Sequence, residues 1–168
     1  MRIANVSSSL HYALVGALSL ALVGFVMSRE AAADPAGNKA IVQSGFDAWA
    51  AGTGSPYDHL AEGAAWTITG NSLASKTYPS REAFLSEVIR PFNARMSVGL
   101  KPTIRNIYAE GDTVIVFFDA AGTARDGQPY ANTYAWFLEM ADGKIVKAHA
   151  FFDAIAFNDL WQRVSPDG

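Results

Sequence analysis

Residues Gly127–Asp153 read GQPYANTYAWFLEMADGKIVKAHAFFD, two long strand-like runs joined by a tight turn. Side chains alternate across a strand. Tyr130, Asn132, Tyr134, Trp136 and Leu138 therefore share one face of the first run, and Ala131, Thr133, Ala135, Phe137 and Glu139 the other. Asp142-Gly143 is the dipeptide that a short hairpin turn favours. The second run, Lys144–Asp153, closes on a carboxylate, and the polar groups nearest that end are the first candidates for chemistry.

Upstream, Thr113–Ala121 is apolar on both faces, with Val114, Val116 and Phe118 against Ile115 and Phe117. That pattern predicts cover on both sides: helices on one, something else such as a second subunit on the other. Ile104–Ala109 forms a strand before it, across the Glu110-Gly111-Asp112 turn. Pro79-Ser80 opens what reads as the longest helix, with Phe84, Leu85, Val88, Ile89, Phe92 and Met96 at helical spacing. Pro91 lacks an amide proton and should kink or interrupt it. Trp66–Thr69 and Lys76–Tyr78 are short strands, and Lys39–Ala51 is a first helix with Ile41, Val42, Phe46 and Trp49 near one face. Ser55-Pro56-Tyr57-Asp58 carries the cap, first-turn proline and acid of a second helix start. Phe157–Arg163 is a short closing helix. Helices first and antiparallel strands after make the class α+β: a curved antiparallel sheet wrapped round a long helix, an apolar cone with one open mouth.

Residues 1–33 read as an address. Arg2 precedes the apolar run Ala13–Met27, and Ala31-Ala32-Ala33 is a small-residue cleavage site, the layout of a signal peptide removed after Ala33. The expectation is a periplasmic or secreted protein made of residues 34–168, without stable membrane association once the leader is cut; a retained anchor is the alternative. The sequence has no cysteine, so disulfides, thiol chemistry and Cys-ligated metals are excluded. Lys and Arg total 13 against 16 Asp and Glu, without a basic stripe, which argues against nucleic acid as a partner.

The element order and local text resemble the SnoaL-like group within the nuclear transport factor 2-like, cone-shaped α+β folds, over roughly Asn38–Trp161. The most specific pieces are Asp126–Tyr134, Asp142–Ile145 and Phe151–Asp153. The resemblance implies the fold more than an activity. Ketosteroid isomerases of that group use a base Asp and a Tyr/Asp pair that holds an enolate oxygen. The matching places here are Thr69, Phe46 and Thr133 or Trp136, none of which can act so. Limonene epoxide hydrolase needs an Arg-x-Asp pair where this chain has Val114-Ile115-Val116. Asp153 matches the acid/base Asp of SnoaL-type cyclases.

Asp153 leads the candidates. A carboxylate at the deep end of an apolar strand is disfavoured in its charged form, which suits proton transfer; the competing role is N-cap of the segment that follows. His149 shares Asp153's face by alternation and could relay a proton, although Lys147 falls on the same face and requires a bulge or a place at the mouth. Asn132, Tyr134 and Trp136 are expected to bind substrate, the first two orienting an oxygen; Trp66, Phe84, Phe92 and Phe117 supply apolar wall, each with plain core packing as its alternative. Asp119 either joins the cavity or sits near a solvated strand end. Asp58-His59 is better explained as a helix cap than as a metal site, and neither metal nor cofactor is implied. Two functions follow: a cofactor-free acid/base enzyme of isomerase, cyclase or hydratase type using Asp153, or a non-catalytic binding protein for a small hydrophobic molecule. A homodimerisation module is the third.

Overall fold

The computed structural model describes residues 34–166, so the leader expected over residues 1–33 lies outside the described residues. Asp34 caps α1 (Pro35–Ala51), its Oδ1 accepting the Gly37 N–H at 2.9 Å, and Pro35 occupies a first-turn position where a missing N–H is harmless. The helix therefore starts earlier than its apolar stripe suggests. It ends at Gly52, whose φ of 73° is the left-handed conformation glycine tolerates best. The Ser55–Asp58 signature makes only one 3-10 turn, Pro56–His59, because the chain is already extended at Leu60. Asp58 accepts the Ser55 N–H at 2.8 Å. Gly45 lets α1 lie against this turn: a Cβ there would stand 2.9 Å from the Pro56 Cα.

β1 (Leu60–Ile68) and β2 (Thr77–Tyr78) lead into a segment divided into α2 (Arg81–Phe84), a π turn (Leu85–Ile89) and α3 (Arg90–Ala94). The expected interruption at Pro91 takes this form. Proline cannot donate a hydrogen bond and crowds the preceding turn, and the Arg90 N–H just before it reaches back to the Leu85 carbonyl in the wider π register. Among the described residues the longest helix is consequently α1, with 17 residues, and not this segment.

β3 (Met96–Glu110), β4 (Thr113–Ala124), β5 (Pro129–Ala141) and β6 (Lys144–Phe152) complete a curved, unclosed six-stranded sheet in the order β2-β1-β6-β5-β4-β3. The β1–β6 pair is parallel and all others are antiparallel. β3 begins well before the expected Ile104, and its register against β4 shifts between Met96 and Val98, Val98 and Lys101, and Ile104 and Asn106. Such irregularities bend a strand. At one bend a Cβ on Gly122 would lie 2.6 Å from the Val98 carbonyl oxygen, so only glycine fits without movement. A further shift between Glu139 and Met140 accommodates an extra β6 residue, with Ile145 opposite Met140 and Lys147 opposite Glu139. Ile145 and Ala148 stay buried while Val146 and Lys147 face out. That bulge resolves the conflict at Lys147.

The concave face and the helices over it share one aromatic core. Phe46 of α1 meets Phe118 edge-on at 4.8 Å and Trp136 at 5.5 Å, and Trp66 stacks on Phe84 at 4.3 Å. α4 (Ala154–Arg163) closes one end, held by Arg95, whose guanidinium lies 4.0 Å from the Trp161 ring centroid and donates to the Pro91 carbonyl. Among the described residues no helix is long and apolar enough to cross a membrane.

Candidate functional site

Between the concave face, the C-terminal end of α1, the Pro56–His59 turn and the α2–π–α3 segment lies a cavity of about 990 Å³. Its wall is largely aromatic, with Trp49, Tyr57, Trp66, Phe84, Trp136 and Phe152 prominent. Exposed lining residues such as Gly52, Glu82, Val98 and Lys101 mark the mouth. Tyr57 contacts Trp49, Trp66, Phe84 and Trp136, and its hydroxyl has no hydrogen-bond partner among the described residues. Burial pushes its ionisation well above the usual tyrosine range, so it is a neutral donor at physiological pH. Trp66 Nε1 is buried and likewise without an acceptor; its ring stands perpendicular to Trp136 at 5.0 Å, a geometry in which one indole presents its edge to the π face of the other.

Of the expected binding residues, Trp66, Phe92, Tyr134 and Trp136 line this cavity. Tyr134 is backed by a polar chain: Asn132 Nδ2 donates to the Tyr130 hydroxyl at 3.0 Å, and the Tyr130 and Tyr134 hydroxyls are 3.2 Å apart. Desolvation raises both phenols above their ordinary value, Tyr134 strongly. Either hydroxyl of the Tyr130–Tyr134 pair can donate, and the Tyr134 proton points onward only where Tyr130 is the donor.

Asn132 itself does not line this cavity. Its second Nδ2 bond goes to the Asp153 carbonyl at 2.9 Å, and its Oδ1 accepts from the Thr133 and Asp153 N–H groups at 2.8 and 2.9 Å. This side chain stitches the β5 backbone to the end of β6. Asp153 is exposed, and its Oδ1 accepts the Ile155 N–H at 2.8 Å as N-cap of α4. The expectation of an inward carboxylate is corrected here: the strand has already ended, and the helix claims the side chain. His149 pairs with Phe137 and Thr67 on the outer face and is half-buried there, also away from the wall. Asp119 is outside too, accepting Arg105 through both carboxylate oxygens at 2.7 and 2.8 Å and the Thr133 hydroxyl at 2.6 Å. Those partners hold its carboxyl below the usual range. Phe117, expected as wall, lies on the same outer side beneath the Arg105 guanidinium. Among the described residues no cluster of three or more His, Cys, Asp or Glu side chains is placed to hold a metal.

Residues that sequence reasoning left out include Tyr57 and Arg81, both on the cavity lining. Tyr57 lies within the Ser55–Asp58 cap signature, a pattern that signals only a helix start.

The sequence matches the SnoaL-like domain family over residues 42–148. Among solved structures the chain is similar to Bal32a from a soil-derived mobile gene cassette, at 20% identity and a TM-score of 0.63, over 76% of this chain and 98% of that one. A nuclear transport factor 2-like protein from Burkholderia thailandensis is 23% identical with a TM-score of 0.60, over 73% and 95% respectively. TerC, co-crystallised with polyporic acid, is 17% identical with a TM-score of 0.59, over 75% and 98%. At these identities the likeness establishes the fold. No curated protein matches the sequence.

Proposed function

The chain belongs to the SnoaL-like domain family, and we propose that it is an exported binding protein whose cone holds a hydrophobic, oxygen-bearing small molecule. The observation that carries this reading is the aromatic cavity of about 990 Å³ with the Tyr57 hydroxyl, which makes no hydrogen bond among the described residues, on its wall. That volume is at the upper end of what drug-sized ligands occupy. The apolar rings supply contact area, and Tyr57 supplies a neutral donor for a carbonyl or hydroxyl oxygen. The co-crystal of TerC with polyporic acid supports small-molecule binding on this scaffold. Export rests on the apolar run Ala13–Met27 and the small residues before Asp34. Binding is preferred to acid/base catalysis because Asp153, the matching carboxylate, is engaged by its own helix.

The test is fluorescence titration of the purified protein with N-phenyl-1-naphthylamine, a neutral apolar reporter, followed by displacement with a polycyclic ketone and its parent hydrocarbon. The expected result is saturable uptake of one reporter per chain. Tyr57→Phe should weaken the ketone about fivefold and leave the hydrocarbon unchanged, the size of one neutral hydrogen bond. Failure of the reporter to bind would overturn the proposal.

A further inference from the structure

We infer that the ligand carries a carboxylate, and that Arg81 at the mouth of the cavity receives it; the inference rests on the pocket reading above. Five charged side chains line the cavity: Asp58, Arg81, Glu82, Arg90 and Lys101. Both acids are already engaged. Asp58 accepts the Ser55 N–H at 2.8 Å, and Glu82 accepts Arg90 through both oxygens at 2.6 and 3.0 Å. That pairing also uses the Arg90 fork.

Arg81 is left over. It is half-buried on the cavity lining, and its hydrogen bond is a single long one, from Nη1 to the Leu60 carbonyl at 3.4 Å. Among the described residues no carboxylate comes within ion-pair distance of it. A guanidinium presents a rigid planar fork of N–H donors that fits a carboxylate with two parallel bonds. Partly removed from water and poorly supplied with acceptors, such a group gains most from an anionic partner. Lys101, on the edge strand β3, forms no ion pair among the described residues and adds positive potential at the same mouth. The mouth thus has three cations against two satisfied acids, on a chain whose formal net charge is -3. The chemistry that fits is an amphipathic monoanion: an apolar ring system or chain lying among Trp66, Phe84 and Trp136, with its carboxylate at Arg81.

The experiment displaces the neutral N-phenyl-1-naphthylamine reporter with 2-naphthoic acid and with its methyl ester, on the wild-type protein, Arg81→Gln and Arg81→Lys. The wild-type protein should prefer the acid over the ester by about tenfold, the value of charge-assisted hydrogen bonds. Arg81→Gln should erase that preference while reporter and ester affinities stay put. Arg81→Lys should restore part of it, because charge returns without the fork. Equal competition by acid and ester on the wild-type protein, or an equal loss for both in Arg81→Gln, overturns the inference and leaves the pocket reading standing. No reporter uptake by the wild-type protein overturns both.

Discussion

The two faces of one sheet differ more than their sequences suggest. On the concave face of β5, Tyr130, Asn132, Tyr134, Trp136 and Leu138 are buried, and three aromatic rings and a fully bonded amide face the helices. On the convex face the intervening residues meet solvent: Thr133 completes the Arg105–Asp119 cluster, Glu139 accepts Lys147 at 2.9 Å, and Phe137 packs edge-on against Phe151 at 5.7 Å. Both faces hold aromatics and polar groups. What separates them is access to water. Inside, desolvation raises the ionisation of the phenols and leaves them neutral; outside, charges pair with each other beside solvent. Polar groups of this sheet therefore differ by the side they face, not by their chemical type.

The strongest way to break this contrast uses adjacent residues on opposite faces. Trp136 touches Phe46, Trp49, Tyr57, Trp66 and Phe118, whereas Phe137 is 39% exposed. Trp136→Ala should cost about 3–5 kcal/mol of unfolding free energy, and Phe137→Ala no more than about 1.5 kcal/mol. Urea denaturation measures both, and similar losses at the two positions would mean that the convex face is as well packed as the concave one.

A smaller effect comes from pH. Tyr57, Tyr130 and Tyr134 have folded-state pKa values raised by burial. Above about pH 10 the unfolded chain releases these protons first, so it binds fewer protons than the folded chain. The stability these groups contribute is fully present below about pH 10 and is lost as pH rises through their folded values. Asp119, lowered by Arg105 and Thr133, works in the opposite direction: its contribution is present above the ordinary carboxylate range and is lost as pH falls through its folded value. Because that cluster is exposed, the acid-side loss should be the lesser one. Urea midpoints taken across the pH range would show the asymmetry, and Tyr57→Phe and Tyr134→Phe should each reduce the alkaline decline.

Much of this architecture is legible in the sequence. Alternation over Tyr130–Leu138 sorts the β5 faces correctly, and the misfit of Lys147 marks the bulge that the β5–β6 register contains. The candidate site is less legible, for local reasons. Asp153 stands at a strand end, where pocket acid and helix cap look alike until the Ile155 N–H is placed. Asp119 meets its partner Arg105 across the β3–β4 register, which shifts between Ile104 and Asn106, and alternation within one strand carries no information about such a shift. Tyr57 and Arg81 come from a 3-10 turn and the first turn of a four-residue helix, elements too short to have a readable period.

The most direct measurement of the central claim, that the concave cavity is the binding site, places the same bulky substitution on each side of the sheet. Ile89 lines the cavity from the π turn and is half-buried, so a larger ring there should intrude on the ligand without removing core. Titration with N-phenyl-1-naphthylamine should show Ile89→Trp binding at least about tenfold more weakly than wild type, as steric exclusion from a packed site requires, with Phe137→Trp unchanged. Unchanged affinity in Ile89→Trp together with loss in Phe137→Trp would place binding on the convex face and contradict the account.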